Sequence, residues 1–374
     1  MTAFAVIGCG FVADLYMRSF QTFPNIDVVR VHDKDPARLS AFADFWKLHP
    51  AETLDSFFEA LQPGTIILNL TNPAAHFEVT KACLDHGHHV YTEKPMAIAM
   101  DKAEALFHLA AEKGLEIATA PCSVLGETAQ LLGRAVRQNL AGTPRLVYAE
   151  LDDVFIPQAP YRDWQSESGA PWPYEDEFRV GCTLEHAGYY LSWLIAIFGP
   201  VREVVAAAAE LVPEKLDGPD RAPDFTTATL YFESGPVVRL TCSIIAPHDH
   251  GLQVIGDAGV LRVGRAWDNA APVRFHPRRT IRRRLIDMPF GRRVRARGRT
   301  HPKVKRWGAA AMNFALGPME MAEAIAANRT PRLAGPYALH LNEVTLAIQE
   351  AHRHPGARAI STRCTAMEPM PWAA

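Results

Sequence analysis

Three groups of residues have the types and spacing to act together. Gly8-Cys9-Gly10-Phe11-Val12-Ala13 follows an apolar run and opens a helical pattern. Gly8 permits a tight turn, Gly10 lets the backbone approach a pyrophosphate, and Ala13 keeps the helix close to the sheet. The N–H groups at the helix start, around Phe11 and Val12, offer a positive dipole to phosphate. Asp33 closes the next apolar run, where a carboxylate accepts hydrogen bonds from an adenosine ribose. A carboxylate repels a 2'-phosphate, so Asp33 favours NAD, while Lys34 and Arg38 beside it leave NADP open. The other two groups, Thr71-Asn72-Pro73-x-x-His76 and Thr92-Glu93-Lys94-Pro95, each follow a strand pattern. Strand C-termini are the edge where a doubly wound sheet holds its ligands, which puts Lys94 at the nicotinamide end. A partly desolvated lysine near a cationic ring has its proton affinity lowered, which suits it to acid–base work at neutral pH. The plain alternatives are an ordinary strand-to-helix turn and a surface lysine paired with Glu93.

The elements that must position these residues are legible as alternating patterns. Apolar runs at Phe4–Ile7, Ile26–Val31, Thr65–Leu70, His89–Tyr91 and Leu115–Thr119 predict strands. Helical spacing separates them over Val12–Phe23, Ala37–Trp46, Ala75–His86 and Asp101–Lys113, the last with Asp101 as its cap and Gly114 as its stop. That alternation predicts a parallel sheet covered on both faces, with a domain at 1–121. Beyond Pro121 a helix (Val124–Gln138) is followed by strands at Arg145–Leu151, Glu203–Ala207, Thr226–Phe232, Val237–Ser243 and Leu252–Ile255, which predict a mainly antiparallel sheet. An apolar helix spans Thr183–Phe198, and helices return at Ala309–Ala327 and Tyr337–His352. The second domain is 122–374, and the fold class is α/β.

With the glycine turn, the Thr71 and Glu93-Lys94-Pro95 segments resemble the Gfo/Idh/MocA family of NAD(P)-dependent oxidoreductases. The resemblance implies a Rossmann domain followed by an α/β domain built on a large open sheet, and a sugar, cyclitol or nucleotide-linked sugar as substrate. It implies that Lys94 meets the substrate hydroxyl or carbonyl, and that the Lys94–Pro95 bond is cis. The family's second signature, Asp-x-Gly-x-His, corresponds to His186-Ala187-Gly188-Tyr189-Tyr190. His186 takes the Asp position and Tyr190 the His position, so Lys94 and Tyr190 are the expected acid–base pair, with His186 one helical turn away. Glu185 could supply the carboxylate instead, and the two tyrosines could simply pack. A dinucleotide-sensing protein without turnover stays open, although a pure binder has no need of Lys94. The expected cofactor contacts are Gly8, Gly10, Phe11, Val12, Asp33, Arg38, Thr71, Asn72, His76, Glu93 and Lys94. The expected substrate contacts are Lys94, Arg162, Trp164, His186 and Tyr190. Trp164 and Arg162, with Tyr161 and Trp172, either meet a sugar or form a packed lid.

The 374 residues carry 48% hydrophobic side chains, enough for a large core, and a formal charge of −2. That balance removes a global case for nucleic acid. One segment departs from it: 278–306 holds 13 Lys or Arg and only Asp287, leaving 26 basic against 40 acidic residues elsewhere. It predicts a mobile, solvated insertion, with an arm for an anionic substrate or an acidic neighbour as the other readings. His248-Asp249-His250 suggests a metal site, but only the two histidines share a strand face and no partner motif is evident, so no metal is expected. Six scattered cysteines read as free thiols. No apolar stretch reaches a spanning length, which together with the thiols predicts a cytoplasmic protein. An open sheet with one uncovered face predicts a homodimer or homotetramer through the second domain.

Overall fold

The computed structural model describes residues 2–219 and 221–374. The chain divides into two compact units, the first taking the residues up to Cys122 with Ala159–Arg179 and Asn313–Asn342, the second Ser123–Gln158, Val180–Met312 and Glu343–Ala374. Residues 159–179 and 313–342, which the sequence alone assigns to the second domain, cluster with the first.

In the first unit, β1 (Thr2–Ile7), α1 (Phe11–Phe20), β2 (Ile26–His32), α2 (Pro36–Trp46), α3 (Leu54–Glu59), β3 (Ile66–Asn69), α4 (His76–Asp85), β4 (His89–Thr92), α5 (Met100–Lys113) and β5 (Ile117–Thr119) follow in order. Among the described residues the strands form a parallel sheet in the order β2-β1-β3-β4-β5. All four residues of β3 are buried, because helices cover both faces of a parallel sheet. One face packs Ile7, Ile67 and Val90 against Phe57, Leu84 and Leu106. Short α3 escapes the periodicity argument, and a reciprocal Thr53/Ser56 capping box starts it. Asp101 is not the cap of α5: Ala99 holds that place without a side-chain bond, and Asp101 sits in the first turn, where a carboxylate still complements the helix dipole. Gly114 ends the helix in the left-handed conformation, as expected.

The second unit begins with α6 (Glu127–Arg137) and β6 (Pro144–Asp152), and α7 (Tyr174–Val180) runs up to it. A π-helical turn (Thr183–Ala187) leads into α8 (Gly188–Phe198), which is apolar on nearly every face and correspondingly buried. Strands β7 (Val201–Ala209), β8 (Phe225–Phe232), β9 (Val237–Ser243), β10 (Leu252–Gly256), β11 (Gly259–Val263), β12 (Arg274–Ile281), β13 (Arg284–Asp287) and β14 (Arg292–Arg293) follow. The chain then returns to the first unit for α9 (Leu316–Ala326) and the start of α10 (Gly335–Gln349), and ends in the second unit with the rest of α10 and β15 (Ala357–Ala359). Helix α9 starts later than its periodicity suggests, since Pro318 is tolerated only in a first turn.

The sheet of the second unit is ordered β13-β12-β11-β10-β6-β9-β8-β7-β15, with β14 also on β12. Its pairs are antiparallel except β6 with β9, a parallel seam running from Leu146↔Val237 to Asp152↔Ser243. Burial alternates along β8 and β10, so one face is covered and the other half-exposed. The arginine-rich segment is not simply a solvated insertion. Its first ten residues are a β12–β13 hairpin in which Arg278 pairs with Asp287, Nε to Oδ1 at 2.7 Å. The edge strand β13 is exposed at all four residues, Arg284, Leu285, Ile286 and Asp287. All six cysteines are free, as expected, and five are buried. Among the described residues no helix is long and apolar enough to cross a membrane.

The second unit also contains a fully buried ion pair. Lys215 Nζ lies 2.5 Å from Asp224 Oδ1, and neither side chain is exposed. Asp224 Oδ2 accepts the Leu211 and Val212 N–H groups, both at 2.7 Å, while Lys215 Nζ also donates to the Ala222 carbonyl at 2.8 Å. Asp224→Ala strands the ammonium and two backbone donors, and is expected to cost about 3–5 kcal/mol in denaturant unfolding. A loss below about 1 kcal/mol would show that the pair is solvated.

Candidate functional site

In a parallel sheet every C-terminal strand end lies on one edge, so the residues following β1, β2, β3 and β4 share it. The turn after β1 is held very close to the chain leaving β3. Gly8 has φ +99°, and a Cβ there would stand 2.6 Å from the Leu70 carbonyl carbon and 2.8 Å from the Thr71 nitrogen. Only glycine permits this approach. At Gly10, which precedes α1, a Cβ would meet nothing within 4 Å. No side chain caps the α1 N-terminus among the described residues. An open helix start beside an unobstructed glycine fits a bound pyrophosphate.

Asp33 is held at that turn. Its Oδ2 accepts the Cys9 N–H at 2.7 Å and its Oδ1 the Asp35 N–H at 2.9 Å. A carboxylate has further lone pairs, so ribose hydroxyls remain within its capacity. Arg38 is engaged from α2, with Nη2 donating to the Cys9 carbonyl at 2.8 Å and to Ser168 Oγ at 3.4 Å. Ser168 in turn donates to the buried Asp14 through its N–H (3.1 Å) and Oγ (2.8 Å), and Glu167 pairs with Arg18. The segment around Ser168 therefore clasps α1. Asp14 and Ser168 carry no motif and lie far apart in the chain, which is why the sequence does not single them out.

A second network positions Lys94. Glu93 is 7% exposed, accepts the Tyr16 hydroxyl at 2.6 Å, and takes the Lys94 N–H on its other oxygen at 3.1 Å. His76 is fully buried, with Nδ1 2.7 Å from the Pro95 carbonyl and Nε2 2.9 Å from that of Thr71. Burial pushes its pKa down, outweighing those carbonyls. Glu93 and His76, expected as cofactor contacts, show little or no surface and brace the two loops instead. Thr71 donates its hydroxyl to Asn69 Oδ1 at 2.7 Å, and Asn72 reaches Asp176 at 3.4 Å. Lys94, Phe11 and Val12 are half-buried, and the Lys94–Pro95 peptide is cis.

Arg162 and Trp164 belong to an aromatic cluster of the first unit. Trp164 meets Trp172 edge-on at 5.1 Å, Tyr161 meets Phe178 at 5.3 Å, and the Arg162 guanidinium lies 4.6 Å over Tyr174. These contacts pack the cluster against itself, with Arg162 on its exposed side.

The second signature falls on the π-helical turn and the start of α8. Tyr190 is 0% exposed, and its hydroxyl donates to the His250 carbonyl. Burial pushes its pKa well above that of a free phenol, with nearby Asp249 and Glu150 adding to it. The expected role of Tyr190 in acid–base chemistry thus meets a phenol with no open face. Its contacts tie α8 to the 248–250 segment. His186 keeps 12% of its side chain exposed, lies 3.9 Å from Asp153 through Nε2, and meets Trp267 edge-on at 5.6 Å. Burial raises the Asp153 pKa, but the His250, His186 and His248 rings outweigh it and hold the carboxyl below its usual range.

Comparison with known proteins agrees with both units. The model described as "Oxidoreductase family, NAD-binding Rossmann fold" matches residues 2–120, and that for the GFO/IDH/MocA C-terminal domain matches 130–262. An uncharacterized oxidoreductase of Synechocystis is 24% identical over 276 residues, covering 70% of this chain and 71% of that protein. D-apiose dehydrogenase of Paraburkholderia graminis is 25% identical over 279 residues, 69% of this chain and 66% of its own. The WlbA dehydrogenase of Bordetella pertussis, solved with NADH and UDP-GlcNAcA, superposes with a TM-score of 0.72 at 19% identity, over 96% of this chain and 98% of that one. An oxidoreductase domain protein of Kribbella flavida gives 0.77 at 20% identity, over 96% and 100%. With the glycine turn, the Asp33 carboxylate and Lys94 at one sheet edge and both domain models matched, the chain is an oxidoreductase of the Gfo/Idh/MocA family with an NAD-binding Rossmann domain.

Proposed function

We propose that the protein moves a hydride between NAD and a hydroxyl or keto carbon of a sugar, cyclitol or nucleotide sugar. The observation that carries this reading is the single sheet edge that gathers the Gly8 turn, the Asp33 carboxylate and Lys94. The substrate class is supported by the relatives, which include D-apiose dehydrogenase, the NADP-dependent scyllo-inositol 2-dehydrogenase of Bacillus subtilis, and WlbA solved with UDP-GlcNAcA.

When bound, the nicotinamide supplies or accepts the hydride. The chain's own residues do the rest. The α1 N-terminus and Gly10 hold the pyrophosphate, and Asp33 holds the ribose hydroxyls. Lys94 Nζ takes the hydroxyl proton in oxidation and returns it in reduction. Glu93 and His76 act as positioning residues that fix the Lys94 backbone. At the second signature, His186 is the group suited to exchange a proton with a ligand, since its side chain keeps an exposed part whereas Tyr190 is sealed. For partners, we propose self-association through the half-exposed face of the second sheet, where Leu146 and Val205 are each 39% exposed.

Lys94→Met is expected to lower turnover about 10²- to 10⁴-fold while NAD affinity by calorimetry stays near wild type. Unchanged turnover would remove Lys94 from the chemistry, and NAD binding without turnover on any sugar pool would favour a dinucleotide sensor. Asp33→Asn should move the ratio of NAD to NADP affinity toward NADP by about tenfold, roughly one charge-assisted hydrogen bond. A ratio that does not move would place the ribose elsewhere. Sedimentation velocity should find a dimer or tetramer that Val205→Glu dissociates, and a wild-type monomer at every concentration would refute the association.

A further inference from the structure

The sequence alone shows two histidines sharing one side of an extended segment. The fold adds a carboxylate. The backbone of Asp152, at the end of β6, pairs with Asp249 through N–H···O=C bonds of 2.9 and 3.0 Å, which sets Asp153 against the 248–250 segment. Residues two apart on an extended chain share a side. His248 and His250 therefore face Asp153, while Asp249 turns its Oδ1 back to the Gly251 N–H at 2.8 Å. Asp153 Oδ1 lies 3.3 Å from His248 Nδ1 and 3.6 Å from His250 Nε2. One donor atom from each of the three residues lies within 4.8 Å of the others.

These separations are close to what a metal ion imposes. A tetrahedral ion with bonds of about 2.0–2.2 Å keeps its ligand atoms about 3.3–3.6 Å apart. A second observation points the same way. His250 is 3% exposed, and its Nε2 is buried with no hydrogen-bond partner among the described residues. That buried ring nitrogen faces the Asp153 carboxylate, 3.6 Å away. Asp153, His248 and His250 also line a cavity of about 390 Å³, together with Arg265, Trp267 and Lys303. Three protein ligands with an open side are the pattern of a reactive metal site rather than a closed structural one. Imidazole with carboxylate suits Zn²⁺, Co²⁺ or Ni²⁺ and not Mg²⁺ or Ca²⁺, which take oxygen ligands.

We propose that Asp153, His248 and His250 bind a divalent transition-metal ion of the Zn²⁺ type, with a further coordination position open to the cavity for water or an oxygen ligand. The site shares Asp153 with His186, which the proposed function uses for proton exchange, but metal uptake is measured without turnover and so fails or holds independently of that reading. The full-length protein, dialysed against chelator, is titrated with Zn²⁺ by calorimetry and with Co²⁺ by visible absorption. Wild type should take up one tight equivalent and give the intense absorption of low-coordinate Co²⁺. His250→Ala and Asp153→Asn should weaken binding by more than the roughly 10- to 100-fold that loss of a supporting residue costs. His248→Ala should do the same from a half-exposed position where truncation does not disturb the fold, and Asp249→Asn, on the other side of the segment, should leave affinity unchanged. No stoichiometric uptake by wild type, or uptake that the His248 and His250 variants retain, overturns the proposal.

Discussion

The first unit depends on one close approach. The turn after β1 passes the chain leaving β3 with no room for a side chain at residue 8, whose Cβ would lie 2.6 Å from the Leu70 carbonyl carbon. This contact lies where the strand order reverses, between β1 and β3 in the order β2-β1-β3-β4-β5. A doubly wound sheet opens its binding crevice at that reversal. With Gly8 at φ +99°, the chain turns so that the Cys9 N–H reaches Asp33, and α1 starts without a side-chain cap among the described residues.

Around that turn, polar side chains that look like ligand contacts serve as internal braces. Glu93 spends its oxygens on the Tyr16 hydroxyl and the Lys94 N–H, and His76 spans the Thr71 and Pro95 carbonyls. Both are buried, where an unpaired polar group is costly, so their bonds fix the loops on either side. The Lys94 backbone is thereby tied to Glu93, and Lys94 itself is half-buried. The clasp of Ser168 on Asp14 extends the same logic to α1.

The second unit is organised by its parallel seam. Pairing β6 with β9 sets the end of β6 beside Ser243, and the Asp152–Asp249 bridge then brings Asp153 to the histidines. The π-helical turn before α8 delivers His186 to the same carboxylate, and Trp267 closes the group from the chain after β11. Single π-helical turns occur frequently at functional sites. His186 lies in this one, while Tyr190, one turn later, is directed inward to the His250 carbonyl.

Periodicity and local turn chemistry were enough to specify the alternating strands and helices of the first unit, the glycine turn, Asp33 at the end of β2 and Lys94 at the end of β4. Each of these is a local property: apolar spacing selects the element, and a glycine or a strand end marks its boundary. The helical span Thr183–Phe198 was equally legible, but not its π turn. Contacts between distant segments were not. Whether His76 and Glu93 face a ligand or the interior, whether Tyr190 is open or sealed, and which carboxylate meets His248 and His250 all depend on residues tens to hundreds of positions away. The arginine-rich segment shows the same limit. Its charge suggests solvent, yet the β12–β13 ladder, the Arg278 N–H bond to the Ala258 carbonyl and the Arg278–Asp287 pair order its first part. Local sequence sets backbone preference and which atoms can react, but only tertiary packing decides which of those atoms remain unspent.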